Sequence, residues 1–394
     1  MLRNAIFAAL FLFVSASLAP AQPLAPLPAQ PAGAPWPIPD WASAPLPADV
    51  DRAAFDLAVT EAFASRDTPL GETRAVLIVQ GGRIVFERYG EGFGRGTRLV
   101  SWSMAKSITH ALVGAAVLQG RVAIDAPMGS PHWRAGDRRA SITWRQWLQM
   151  VDGSDYLETA DNVAFSGNAN MLFGPGRNDV ARWAAARPLI HDPGARWNYS
   201  SAATLLVSDA LTRAVVPNPR STNDRRAAMR AWMEQSLFAP IGMRAVTEFD
   251  PQGTFYGSSL IYATARDFAR FGYLYLRDGV WDGARILPER WADFGRTRGP
   301  DANTDIYGAG WWLTPSSGQG RPQRSLITDA SMADAFSAQG YEGQIIVVVP
   351  SKDLVMVRLG LFGGGEEAWD ALGDWATRML GSFGRRSANQ GARP

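Results

Sequence analysis

Two β-rich runs open the patterned part of the chain. Ala75 to Gln80 (AVLIVQ) and Arg83 to Tyr89 (RIVFERY) are joined by Gly81-Gly82, the composition of a tight hairpin. A second pair lies far downstream, where Gln344 to Val349 (QIIVVV) and Leu354 to Leu359 (LVMVRL) flank the turn Pro350-Ser351-Lys352-Asp353. The turn setting predicts a solvated side chain for Lys352. An amphipathic helix is predicted next, from Glu366 to Leu380. Between the hairpins apolar residues recur at helical spacing over Ser103 to Leu118, Thr143 to Met150, Asp179 to Ala186, Ala202 to Val215, Ala227 to Leu237 and Ala263 to Arg277. The pattern predicts an α/β fold: an antiparallel sheet drawn from both ends of the chain and flanked by helices, with a mainly helical lobe inserted at about residues 105–330.

The hairpins are preceded by segments of different character. Residues 1–21 carry one positive charge at Arg3, an apolar run from Ala5 to about Val14, and the small-residue site Ala19-Pro20-Ala21. This is the pattern of a cleavable signal peptide, cut after Ala21. A membrane anchor needs about 20 unbroken apolar residues, and Ser15 and Ser17 interrupt this run. Residues 22–47 are rich in proline and alanine, which predicts an extended linker, and residues 48–394 form the expected folded unit. The chain has no cysteine, so disulfides and a lipidated cysteine are excluded. Export to a bacterial periplasm or beyond the cell is expected. A net charge of +2 without a basic run gives no electrostatic case for nucleic acid.

Of the 39 lysines and arginines only Lys106 and Lys352 are lysine. Lys106 lies in Ser103-Met104-Ala105-Lys106, at the start of a predicted helix. Residues three apart share a helix face, so the Ser103 hydroxyl and the Lys106 amine can meet. Serine becomes a useful nucleophile when a neighbouring group takes its proton. An arginine stays protonated, whereas a lysine can be driven toward neutrality by burial and by the positive end of a helix. A functional pair therefore explains why lysine stands at 106. The bland alternative is a surface lysine in a chance Ser-x-x-Lys.

A second element is HDPGARWNYSS, His191 to Ser201: a Pro-Gly turn, a short extended stretch, and Ser200 or Ser201 as the cap of a helix. Tyr199, just before that helix, can point its phenol into a cleft as a proton carrier, or be a packed tyrosine. Asp152, Asp155 and Glu158 cluster in VDGSDYLE, where turn and capping roles are the default and an active-site rim is the alternative. The chain has no G-x-S-x-G pentapeptide for a Ser-His-Asp hydrolase. Of its three histidines, His110 lies two helical turns from Ser103 and His191 beside a turn, which predicts packing and structural roles. No metal-binding pattern is present, and no cofactor is expected.

SMAK at 103–106, Asn198-Tyr199-Ser200-Ser201, the run Gly257 to Trp291 and the run Phe336 to Gly360, in this order, resemble the serine β-lactamase-related family over about Arg74 to Leu380. That family takes in class C β-lactamases, DD-peptidases, esterases and 6-aminohexanoate-dimer hydrolases, and the resemblance is closest to the last. It implies Ser103 as acylated nucleophile, Lys106 as general base and Tyr199 as carrier of the proton to the leaving group. It also implies an oxyanion hole of the Ser103 and Gln339 backbone N–H groups, and substrate contacts at Ser201, Tyr341 and Glu342, with Glu342 placed to meet an amine. One departure stands out. Where the family's β-lactamases and DD-peptidases carry Lys-Thr-Gly or His-Thr-Gly, this chain has Phe336-Ser337-Ala338, which removes the grip on a substrate carboxylate.

The expected function is an exported serine hydrolase acting on a small ester or amide without a cofactor, and without a stable membrane anchor after signal cleavage. The alternatives are a β-lactamase or DD-peptidase, and a penicillin-binding sensor that is acylated without turnover.

Overall fold

The apolar runs at the two ends of the chain pair with each other. A computed structural model describes residues 26–31, 33–160, 162–301, 303–315 and 326–384; the expected signal peptide lies outside the described residues. Helix α1 (Arg52–Ala62) leads into strands β1 (Glu72–Gln80), β2 (Arg83–Tyr89) and β3 (Leu99–Val100). The lobe follows with α2 (Ala105–Leu118), α3 (Trp144–Leu148), α4 (Gly167–Leu172), α5 (Val180–Ala185), α6 (Ser201–Val215) and α7 (Thr222–Met233). Then come β4 (Val246–Thr247), β5 (Ile261–Ala263), α8 (Ala265–Leu276), β6 (Val280–Trp281), β7 (Ala284–Arg285) and α9 (Trp291–Gly295). The chain returns through β8 (Trp312–Leu313), β9 (Phe336–Gly340), β10 (Gln344–Val349), β11 (Leu354–Leu361) and α10 (Glu366–Gly381).

Six strands form an antiparallel sheet in the order β2-β1-β11-β10-β9-β8, with Val76 opposite Arg358 and Gln80 opposite Leu354. Successive side chains on a strand face opposite ways, and burial sorts them. Val76, Ile78, Ile345, Val347 and Met356 pack with Phe55 of α1 and Trp375 of α10. Leu77, Val79, Ile346, Val348 and Val357 pack with Phe268 and Phe271 of α8 and with the lobe. Cover on both faces explains why these strands read as near-continuous apolar runs. Helix α8 sits close because Gly272 has no side chain: a Cβ there would come within 2.6 Å of Val355 Cγ1. The fold is thus the expected α/β sandwich with a helical lobe.

Two expectations are corrected. The stretch read as linker packs against the domain over much of its length. Trp41 is buried, its Nε1 donates to Arg266 O at 3.2 Å, and the Trp36 ring lies 5.7 Å from Tyr273. Ala44 N donates to Ile84 O at 2.9 Å and Ile84 N to Ala42 O at 2.9 Å, covering the outer edge of β2. Two tryptophans supply the apolar area, and prolines lower the entropy lost on ordering. Lys352 is also not solvated. It is buried, and its Nζ donates to Leu380 O at 2.9 Å and to Phe383 O, cation against the carbonyl end of α10.

Two buried bases hold local structure. Arg358 on β11 is fully buried. Its guanidinium donates to Gly343 O at 2.9 Å, Leu70 O at 2.7 Å and, more weakly, to Glu342 O, Glu72 O and Thr73 Oγ1. Burial pushes its pKa down to about 9, with the Glu72 carboxylate opposing the shift. His110 on α2 stacks on Trp291 at 4.8 Å and shares a 2.7 Å hydrogen bond with Tyr275 OH. Burial lowers its pKa to about 3.

Arg358→Met leaves five acceptors without their donor, so a loss of about 3 kcal/mol or more is expected as a lowered urea midpoint. His110 is held neutral in the fold, so its stabilisation is present above its unfolded pKa and is lost as pH falls from there toward the folded value. That contribution is about 1.4 kcal/mol per pH unit below about pH 6.5. His110→Gln should therefore show a smaller drop in urea midpoint than the parent between about pH 7 and about pH 5.

Candidate active site

The approach to α2 is strained. Ser101 N donates to Ile261 O at 2.8 Å and Ser101 Oγ to Ser259 O at 2.9 Å, tying this point to β5. Trp102 then takes φ 43°, a left-handed conformation that costs a bulky residue about 1–3 kcal/mol. Its ring is held from outside: Trp102 Nε1 donates to Glu342 Oε2 at 3.2 Å, and Tyr341 lies edge-on at 5.8 Å. A 3-10 turn, Trp102–Met104, carries Ser103 to the mouth of α2, where its side chain is half-buried.

One helical turn on, Lys106 is buried at 3% exposure. Its Nζ donates to Ser103 Oγ at 2.8 Å, Ser201 Oγ at 2.9 Å and Ser258 O at 3.2 Å, and it lies 4.8 Å from the centroid of the Tyr199 ring. Each contact has a local cause. Ser200 caps α6, accepting from Ala203 N at 3.0 Å, which sets Ser201 in the first turn. Ser258 is drawn in because its neighbour lacks a side chain: a Cβ on Gly257 would meet Ser208 Oγ and Thr109 Oγ1 at 2.4 Å. Asn198 ties the segment before Tyr199 to the loop 150–156, with Nδ2 donating to Tyr156 O at 2.9 Å and N to Met150 O at 2.9 Å.

Glu158 completes the cluster. Its Oε2 accepts from Ser201 N at 2.8 Å, its Oε1 from Ser201 Oγ at 2.5 Å, and Oε1 lies 3.9 Å from Lys106 Nζ. Of the acids in VDGSDYLE, Asp152 has the turn role, its Oδ2 accepting from Ser154 N at 3.0 Å, and Asp155 is exposed. Glu158 is the one that reaches the site. Its sequence signal was only membership of an acidic loop, because the partner Ser201 is 43 residues away.

Beside the cluster opens a cavity of about 500 Å³, with Tyr156, Leu157, Glu158, Trp197, Tyr199 and Trp312 among its walls. The Tyr199 ring lies 5.1 Å from Trp312 and 5.9 Å from Tyr307. Burial and the neighbouring Glu158 carboxylate raise the Tyr156 phenol well above its ordinary pKa. Tyr307 is raised as well, by burial, by Tyr199 and by Glu158.

Strand β9 borders the opposite side. A Cβ on Gly340 would lie 2.2 Å from Ser101 O and 3.2 Å from Trp102 Cβ, so the end of β9 runs against the turn that carries Ser103. Strand β8 pairs with β9 only at Phe336 and Ser337. Gln339 is buried, and its side chain donates to Ser337 Oγ at 2.9 Å. Tyr341 is half exposed. Glu342, expected to meet an amine of the substrate, accepts from the Trp102 indole N–H. Ser201 requires correction as a substrate contact: it has no exposed surface and lies between Lys106 and Glu158. At Phe336-Ser337-Ala338, among the described residues, Arg296 is the cation that lies against the strand. Arg296, 5.8 Å over the Phe336 ring, pairs with Asp293 at 3.1 Å. Among the described residues no group of carboxylates and histidines could hold a metal ion, and no helix is long and apolar enough to cross a membrane.

Proteins of known sequence and structure resemble this chain over most of its length. A 6-aminohexanoate-dimer hydrolase of Paenarthrobacter ureafaciens is 24% identical over 302 residues, covering 73% of this chain and 72% of that protein. A Bacillus anthracis structure, assigned as a candidate 6-aminohexanoate-dimer hydrolase, superposes with a TM-score of 0.63 at 19% identity over 87% of this chain and 88% of that one. EstCE1, described as a hydrolase with promiscuous acyltransferase activity, superposes at 0.57 with 16% identity over 82% and 97% of the two chains. The model of the beta-lactamase family matches residues 72–362, a span that runs from β1 through β11 and encloses Ser103, Lys106, Glu158 and Tyr199. This chain belongs to the beta-lactamase family.

Proposed function

We propose that the protein is an exported serine hydrolase that cleaves an ester or amide through an acyl-enzyme on Ser103, with Lys106 as general base and Tyr199 as proton carrier. The observation that carries this reading is the 2.8 Å contact between a buried amine and the Ser103 hydroxyl. Desolvation and the positive end of α2 both disfavour the ammonium form. The neutral amine then takes the Ser103 proton as Oγ bonds to the substrate carbonyl carbon. The developing oxyanion is received by the backbone N–H groups of Ser103 and Gln339, a role supported by the packing of the end of β9 against the Ser103 turn. As the bond to the leaving group breaks, the Tyr199 phenol and Lys106 return a proton to that group. Water, losing a proton to the same pair, then attacks the ester carbonyl, and Ser103 recovers its proton as the acid leaves.

The substrate class follows from what borders the cleft. The carboxylate grip expected for a penicillin or a D-Ala-D-Ala terminus is absent at Phe336-Ser337-Ala338, and Arg296 is engaged by Asp293. Aromatic walls favour an apolar acyl or leaving group. An ester or amide without a carboxylate beside the scissile bond is therefore placed ahead of a β-lactam. Export rests on the charge, apolar run and small-residue site of residues 1–21.

Two outcomes are expected with p-nitrophenyl butyrate and intact-mass detection. Ser103→Ala abolishes both turnover and the acyl adduct, and Lys106→Arg is reduced as far as Lys106→Ala, about a hundredfold or more, because an arginine cannot give up its proton. An active Lys106→Arg enzyme would show that the base lies elsewhere. Tyr199→Phe slows turnover about a hundredfold with an unchanged melting temperature; wild-type turnover would make Tyr199 a packing residue.

A further inference from the structure

Glu158 has no part in the steps above, yet both its oxygens are engaged by one residue. Ser201 N binds Oε2 at 2.8 Å and Ser201 Oγ binds Oε1 at 2.5 Å. The loop that carries it is anchored: Glu158 O accepts from Ser166 Oγ at 3.1 Å and from Asn168 N at 3.1 Å. Its side chain is 12% exposed, on the wall of the cavity.

A hydroxyl has one proton, and an ionised carboxylate only accepts. Ser201 must therefore give its proton to Glu158 and turn its lone pairs toward Lys106, 2.9 Å away. The carbonyl of Ser258 likewise only accepts. Two directions around the Lys106 nitrogen are thereby fixed as N–H donors whatever its charge, so neither Ser201 nor Ser258 takes up the lone pair that the neutral amine offers to Ser103. Without the carboxylate, Ser201 would be free to turn its proton onto the amine and occupy that lone pair. We infer that Glu158 is a positioning residue which, through Ser201, aims the Lys106 lone pair at Ser103 and strengthens it as a base.

The second part follows from charge. Oε1 is 3.9 Å from Nζ, so the carboxylate stabilises the ammonium that forms when Lys106 takes the Ser103 proton. Among the described residues the phenols of Tyr199, Tyr156 and Tyr307 also face this pair, with Arg187 behind Tyr156. Glu158 brings a carboxylate to that group, and its removal weakens the base. The inference rests on Lys106 acting as the base for Ser103.

The test needs no knowledge of the natural substrate. A small fluorophosphonate reacts with an activated serine: Oγ bonds to phosphorus, fluoride departs and the serine proton goes to the base. Its second-order rate at Ser103 is followed against pH by intact mass, in the parent, Glu158→Gln, Ser201→Ala and the double variant. Removing a charge about 4 Å away should move the acid limb to lower pH by about one unit or more. The plateau should fall about tenfold or more, as expected for a weakened, misdirected base. Ser201→Ala should act in the same direction, and the double variant should lose less than the two effects combined. A carboxylate that merely props the loop would lower the rate without moving the limb. An unmoved limb in Glu158→Gln, or full additivity, overturns the inference. Should Glu158→Gln not fold, Ser201→Ala breaks the same chain and its limb decides. A rate at Ser103 that survives Lys106→Ala would remove the base itself, an outcome distinct from an unmoved limb in an enzyme that still needs Lys106.

Discussion

The site depends on keeping an amine out of water. Lys106 is buried at the first turn of α2 with hydroxyl and carbonyl oxygens around it and a carboxylate 3.9 Å away. Desolvation and the helix end press the amine toward neutrality, whereas Glu158 presses it toward the ammonium. In the proposed mechanism a base of useful strength lies between these two pulls: too little burial would leave it protonated and unable to accept, and too little negative charge would leave it neutral and weak. The surrounding architecture can be read as the means of fixing both at once. The lobe supplies Ser201 and Glu158, the junction with β5 supplies Ser258, and the strained turn at Trp102 fixes where the hydroxyl meets them.

That arrangement needs a rigid frame, and the frame comes from joining the chain ends. Strand β1 pairs with β11, so the two ends of the chain that flank the lobe are joined in one sheet. Buried Arg358 adds a local lock. Its guanidinium collects carbonyls from Leu70, Glu72, Glu342 and Gly343, stitching the start of β1 to the turn that follows β9. Through Glu342 the same turn holds the Trp102 ring. A contact path therefore runs from the sheet centre to the residue before Ser103.

Local features were legible in the sequence and convergent ones were not. Ser103 and Lys106 could be paired because helix geometry alone puts residues three apart on one face. The hairpins could be found because apolar runs bounded by turn residues have few other readings. The place of Glu158 in the site depends on a partner 43 residues along, in another element, and no local pattern distinguishes it from Asp152 or Asp155. Ser201 was misjudged for the same reason: its place in a motif suggested a contact with substrate, whereas tertiary packing enclosed it. The segment around Trp36 and Trp41 was misread because average composition hides two large aromatic anchors among prolines.

The lysines carry the lesson further. Scarcity singles out Lys106, while the turn setting of Lys352 predicts a solvated side chain. Both are buried, at 3% and 4% exposure, and arginine fills neither role. At 352 a compact ammonium reaches two carbonyl oxygens at the end of α10, where a planar fork would need more room. At 106 the proposed mechanism sets a chemical requirement, a cation that can cease to be one. Every other member of the lysine and arginine set is arginine; the lysine at 352 meets two carbonyl oxygens, and the one at 106 is, in the proposed mechanism, the amine that gives up and takes back a proton. Rarity therefore pointed to constraint at both positions, and only the i to i+3 serine separated the chemical constraint from the steric one.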